Sequence, residues 1–224
     1  MIDRIVNVAA VLVVAAAALF FAKAWFASDG VPGVGLVNLG EEEFGLPAEF
    51  VRAASTGHRL GPEDAPVVLL LYSDYACGFC REFDRTLRVV RRRYPQHLAV
   101  AVKPFVPLEM NESTRLFLGA ECAAEQGVFG AFHTAALRLG EGQGRAPLWE
   151  DVADSVGGLL SRPAFDHCVT SGEYADRVES AYREGADLGV RMVPTFFVNG
   201  RMYMGAMDAV TLDSAVAAAL PRAR

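Results

Sequence analysis

The sequence predicts an α/β domain in which a strand, helix, strand core is interrupted by a block of helices, standing behind an N-terminal helix long enough to span a membrane. Three observations predict it. The unbroken apolar run Val67 to Tyr72 leads into Cys77-Gly78-Phe79-Cys80 and then into an amphipathic stretch, which reads as a buried strand feeding a helix. From Ser113 to Leu188 apolar residues recur at helical spacing, and strand-like runs return only after Gly189. Ile5 to Phe26 is apolar throughout apart from Asn7 and Lys23.

Composition narrows the classes of function. The 224 residues carry 21 Lys and Arg against 27 Asp and Glu, a net charge of −6, so no basic surplus points to nucleic acid. Four cysteines, an even number, fit two disulfides in an oxidising compartment.

The N-terminal segment sets that compartment. About 20 apolar residues are what a helix needs to cross a bilayer, and Ile5 to Phe26 supplies them. Arg4 and the amino terminus favour a cytoplasmic start, while Lys23 can extend toward the interface and Trp25 and Phe26 suit it. Ala22-Lys23-Ala24 resembles a signal-peptidase site, so a cleaved signal is the rival reading; the length favours an uncleaved anchor. On either reading residues after Phe26 are exported. Residues 27–57, with scattered Gly and Pro and the acidic run Glu41-Glu42-Glu43, read as a tether holding one short helix near Pro47 to Ala54.

The folded domain is expected from His58 to Pro221. Gly61 to Pro66 is a turn-rich lead into the first strand, and the helix opening at the cysteines should run to about Tyr94, before Pro95. Phe83, Leu87 and Val90 would face the sheet and leave Arg81, Arg85, Arg88, Arg91, Arg92 and Arg93 as a solvated face. Leu98 to Val102 follows as a parallel second strand. Helices are then expected over Ser113 to Ala124, Val128 to Leu139, Leu148 to Val156, Pro163 to Val169 and Glu173 to Leu188, an insertion of about residues 111–188. Gly189 suits the position after the last of these. Asn199-Gly200 between Thr195-Phe196-Phe197-Val198 and Arg201-Met202-Tyr203-Met204 signals a type I′ hairpin, and Asp208 caps a final helix to Leu220.

The chemistry sits at the strand-to-helix junction. The first N–H groups of a helix lack intrahelical partners and the dipole there is positive, so a thiolate at Cys77 is stabilised. Cys80, one turn in, can close or resolve a disulfide with it. Half of a zinc site is the alternative, but no second CxxC or CxxH is present and Cys122 and Cys168 stand far apart. Those two are expected to join as a structural disulfide between two inserted helices, closing a loop worth roughly 4 kcal/mol in the chain-entropy model. Buried free thiols, or a second redox pair, are the other readings.

The order of parts resembles the DsbA-like branch of the thioredoxin superfamily, from about His58 to Leu220. Four stretches carry the resemblance: Leu60 to Val67 as a leading strand, Ser73-Asp74-Tyr75-Ala76-Cys77-Gly78-Phe79-Cys80, Glu121-Cys122-Ala123-Ala124-Glu125-Gln126-Gly127, and Val193-Pro194-Thr195-Phe196-Phe197-Val198-Asn199-Gly200. The resemblance implies a thioredoxin fold, Cys77 as the exchanging sulfur, Cys80 as the resolving one, Pro194 as a cis-proline beside them, and Val193 as the backbone that pairs with an extended substrate. It implies no metal and no cofactor, a monomer acting on exported proteins, and reoxidation by a quinone-linked membrane partner of the DsbB or vitamin-K-epoxide-reductase type. Two positions depart from the pattern. Leu71 stands where a buried glutamate is common, leaving Asp74 and Asp84 as the nearest acids, and Gly78-Phe79 lacks the thiolate-stabilising histidine. A weaker oxidant than the strongest DsbA is therefore expected. A reductase of the same fold, an isomerase and a non-catalytic binding domain are the rival functions.

Overall fold

The computed structural model describes residues 46–106 and 109–221. The apolar segment Ile5 to Phe26 and most of the stretch read as a tether lie outside the described residues; among these, no helix is long and apolar enough to cross a membrane. The elements run α1 Ala48–Ser55, β1 His58–Leu60, β2 Val67–Ser73, α2 Gly78–Arg93, β3 Leu98–Pro104, α3 Glu112–Glu125, α4 Phe129–Leu139, α5 Trp149–Val156, a 3-10 turn Gly157–Leu159, α6 Arg162–Ser171, α7 Ala175–Asp187, β4 Thr195–Val198, β5 Arg201–Met204 and α8 Ala209–Ala219.

The strands form a five-stranded sheet in the order β1-β3-β2-β4-β5, with β2 and β3 parallel and the other neighbours antiparallel. Central β2 sets Leu71 opposite Val102 and Phe196, and Tyr72 opposite Lys103 and Thr195. Flanked on both edges and covered on both faces, it has no solvent side to alternate toward, which is why it reads as one apolar run. Its period of two appears in the packing instead. Leu69 and Leu71 join Phe83, Leu87 and Val90 of α2, Leu212 and Val216 of α8 and the inserted helices, while Leu70 and Tyr72 join Phe50 and Ala53 of α1, Val190 and Phe197.

The insertion extends the same core. Phe165 lies 5.6 Å from Phe132 and 5.9 Å from Trp149 between ring centres, and the Cys122–Cys168 disulfide ties α3 to α6 with Cα atoms 6.0 Å apart. At the far end of the sheet the β4–β5 turn needs positive φ twice, and Asn199 at 45° and Gly200 at 88° provide it. Asn199 also accepts the Val68 N–H at 2.8 Å, pinning the hairpin to β2. A Cβ on Gly200 would come 2.8 Å from Pro47 Cδ, so the turn requires glycine for space as well as conformation.

Three features differ from the sequence reading. The short helix α1, placed in the tether, packs Phe50 and Ala53 into the sheet, so ordered structure reaches N-terminal of His58. The leading strand is not Leu60 to Val67; β1 is His58–Leu60, antiparallel to β3 at the sheet edge, and the Gly and Pro of residues 61–66 turn the chain instead. Arg81 is not on a solvated face: it is 7% exposed, because the C-terminal end of α4 covers it.

Candidate active site

Strand β2 delivers the chain to a tight turn at Asp74 to Ala76, and Cys77 then caps helix α2. Its extended backbone, at φ −80° and ψ 120°, lets Sγ accept the Cys80 N–H at 3.3 Å. The turn is closed by Asp74, whose carbonyl accepts the Cys77 N–H at 3.1 Å and whose Oδ1 accepts the Ala76 N–H at 2.8 Å. Both cysteines are unbridged, Cys77 part-exposed at the mouth and Cys80 buried beneath it.

Their environments separate the two thiols. The Cys77 thiol is held down to about 6, first by the hydrogen bond from the Cys80 thiol and also by the backbone N–H groups of Cys80 and Phe79, against burial and the Asp74 charge. Burial foremost pushes Cys80 far up, with the neighbouring Cys77 adding to it, while the Asp74 N–H and the Ser73 hydroxyl pull the other way. One sulfur is thus a ready thiolate and the other holds its proton.

The loop before β4 meets this pair from the opposite side. Cys77 Sγ donates toward the Val193 carbonyl at 3.7 Å, the Val193–Pro194 peptide is cis, and the Thr195 hydroxyl donates to the Met192 carbonyl at 2.7 Å. Phe79 and Met192 are large apolar side chains left 66% and 52% exposed on these two segments.

Behind the turn lies a buried polar layer. The Tyr75 ring stacks on Phe117 at 4.3 Å, its hydroxyl bonds His133 Nδ1 at 3.0 Å, and Arg81 donates to the Tyr75 carbonyl at 2.7 Å. Burial pushes His133 down to about 3, so its imidazole is neutral. Asp84 Oδ1 lies 4.0 Å from His133 Nε2; burial raises its carboxyl, while Arg88 at 2.5 Å opposes the shift.

The structure therefore gathers Cys77, Cys80, Val193 and Pro194 at one place, and sets the bridged Cys122 and Cys168 apart in the insertion. Leu71 is buried between Val102 and Phe196. Of the two nearest acids, Asp74 belongs to the active-site turn and Asp84 to the His133 layer. Sequence reasoning missed Ser113, whose hydroxyl donates to Asp74 Oδ1, together with His133 and Arg81. The helix expected from Ser113 already places it in a first helical turn, but no local signal reports its reach to Asp74. Among the described residues, no group of three or more His, Cys, Asp or Glu is arranged to hold a metal ion.

Known proteins share this architecture. The family profile described as Thioredoxin matches residues 53–218. A Na(+)/H(+) antiporter NhaA 3 of Salinispora tropica is 30% identical over 175 residues, which are 75% of this chain and 25% of the antiporter. The chain spans about a quarter of the length of the curated relatives it matches. BdbD from Bacillus subtilis superposes with a TM-score of 0.65 at 17% identity, over 78% of this chain and 96% of BdbD. The thiol-disulfide exchange protein alpha-DsbA2 from Wolbachia pipientis gives 0.62 at 20% identity, over 76% and 91%. With its sheet order, inserted helices and CxxC junction, the chain belongs to the thioredoxin family and has the fold of its DsbA-like members.

Proposed function

We propose that this chain is an extracytoplasmic thiol-disulfide oxidoreductase that donates a Cys77–Cys80 disulfide to exported proteins. The observation that carries the reading is the contrast between the two thiols, one part-exposed with its proton loosely held, the other buried and holding its proton tightly. In the oxidised form a substrate thiolate attacks Cys77 Sγ; the Cys77–Cys80 bond breaks, a mixed disulfide forms, and the departing Cys80 sulfur takes up a proton. A second substrate thiolate attacks the substrate sulfur of that mixed disulfide and Cys77 leaves as a thiolate, the better leaving group of the two. Two electrons have then passed from the substrate dithiol to the enzyme. Val193, whose carbonyl already faces Cys77, offers its backbone to an extended substrate segment as an added strand.

In this reading Ile5 to Phe26 anchors a monomer at the membrane with its domain outside the cytoplasm, and a quinone-linked partner of the DsbB or vitamin-K-epoxide-reductase type restores the disulfide. The chemistry agrees with that of one structural neighbour, alpha-DsbA2, a thiol-disulfide exchange protein. A reductase would use the same atoms with electrons flowing the other way. The experiment is stoichiometric transfer: oxidised full-length protein is mixed with a reduced peptide carrying two cysteines. The peptide should emerge as its disulfide and the protein as its dithiol, with Cys77→Ser inactive; a peptide left reduced overturns the proposal.

A further inference from the structure

Asp74 is held by three hydrogen bonds in the active-site turn, two to its carboxylate and one to its backbone carbonyl. Its Oδ1 accepts the Ala76 N–H at 2.8 Å, its own carbonyl accepts the Cys77 N–H at 3.1 Å, and the hydroxyl of Ser113, a buried residue in the first turn of α3, donates to the same Oδ1. Ser113 is 39 residues away in sequence and belongs to the inserted helices, so the insertion reaches the redox turn through this contact. A surface aspartate in a turn would be free to swing into water; this one is pinned beside Cys77.

We propose that Asp74, locked by Ser113, is a positioning and charge-setting residue that makes the Cys77–Cys80 pair a milder oxidant than the turn alone would be. The inference rests on the exchange chemistry proposed above. A fixed negative charge close to Cys77 disfavours the thiolate there and so disfavours the reduced form, which is the form an oxidant must prefer. The shift of Cys77 agrees, since the Asp74 charge opposes the hydrogen bonds that lower it. Ser113 matters because a hydroxyl donor neutralises none of the charge while fixing where it stands. With Leu71 filling the β2 position beneath, Asp74 is the acid of the turn itself.

The test compares wild type, Asp74→Asn and Ser113→Ala as full-length proteins, reading the equilibrium with glutathione and the pH dependence of Cys77 alkylation. Asn keeps an acceptor oxygen for both donors, so Asp74→Asn removes the charge and leaves the turn. It should shift the equilibrium toward the reduced enzyme by about fivefold to tenfold, tenfold being 29.6 mV for this two-electron couple, and move the alkylation midpoint to lower pH. Ser113→Ala leaves the charge but frees it, and should move both readouts the same way by a smaller factor. Wild-type exchange with unchanged readouts in Asp74→Asn overturns the inference alone; an unchanged Ser113→Ala beside a shifted Asp74→Asn overturns the lock. A wild-type pair that does not exchange with glutathione at all overturns the proposed function and this inference with it.

Discussion

The Cys77 sulfur lies 3.7 Å from the carbonyl oxygen of Val193, 116 residues further along the chain. That contact places the end of β2, the start of α2 and the loop before β4 at one point, since β2 and β4 are neighbours and paired from Leu69 to Tyr72. A thiol at a helix N-terminus is thereby set beside a backbone carbonyl, the pairing on which the proposed exchange with an extended substrate rests.

Cys77 should alkylate with a pH profile whose midpoint is about 6, the rate rising as pH increases through it. The hydrogen bond from the Cys80 thiol is the largest cause of the lowered value, so Cys80→Ala should move the midpoint upward by roughly a pH unit or more. An iodoacetamide rate series across roughly pH 4 to 9, a range bracketing free and activated thiols, reads both. A midpoint near that of a free cysteine in the wild type would remove the basis for its reactivity.

His133 should make the domain acid-sensitive. Its folded value is pushed down to about 3 from an ordinary 6.5, so between those two pH values the unfolded chain binds the extra proton. Stability contributed by the neutral imidazole is therefore full above about 6.5 and is lost as pH falls toward about 3. Urea midpoints of wild type and His133→Gln, compared from about pH 7 to 4, should converge as pH drops if this sign is right.

Arg81 holds the carbonyl of Tyr75, a buried contact that crosses the CxxC turn. Arg81→Met keeps most of the apolar stem and abolishes the donor, which should cost about 1.5–3 kcal/mol, the range for a hydrogen bond from a charged group. Equilibrium urea unfolding measures it, and a loss below a few tenths would show that water replaces the guanidinium.

The Cys122–Cys168 bridge closes a separation of 46 residues. Replacing both cysteines with alanine should lower stability by about 4 kcal/mol on the chain-entropy account while leaving transfer from Cys77–Cys80 in place. Disulfide transfer to a dithiol peptide, run on the double variant below its melting temperature, separates a structural bond from an electron relay.

Much of this could be read from the chain because local chemistry fixes it. The β2 run, the cap at Cys77, the period of Phe83, Leu87 and Val90, and Asn199-Gly200 each announce themselves within a few residues. What escaped depends on distant partners. Arg81 lies at the edge of the apolar face of α2 and becomes buried only because α4 ends over it; a Cβ on Gly140 would sit 3.2 Å from its Nη1. Ser113 and His133 occupy ordinary helical positions whose meaning comes from Asp74 and Tyr75 across the insertion. The eight residues of α1 show a helix but carry too little pattern to distinguish one packed on the sheet from one carried free in a tether, and Phe50 settles it only against Phe197, at 6.5 Å.

Whether this pair donates disulfides is decided by the equilibrium reduction potential of Cys77–Cys80 in the full-length protein, titrated against glutathione. A disulfide donor with the Asp74 charge beside Cys77 should show a value above about −200 mV and below the roughly −120 mV of the strongest DsbA. A value of about −270 mV, the potential of thioredoxin, would contradict donation and reverse the direction of electron flow.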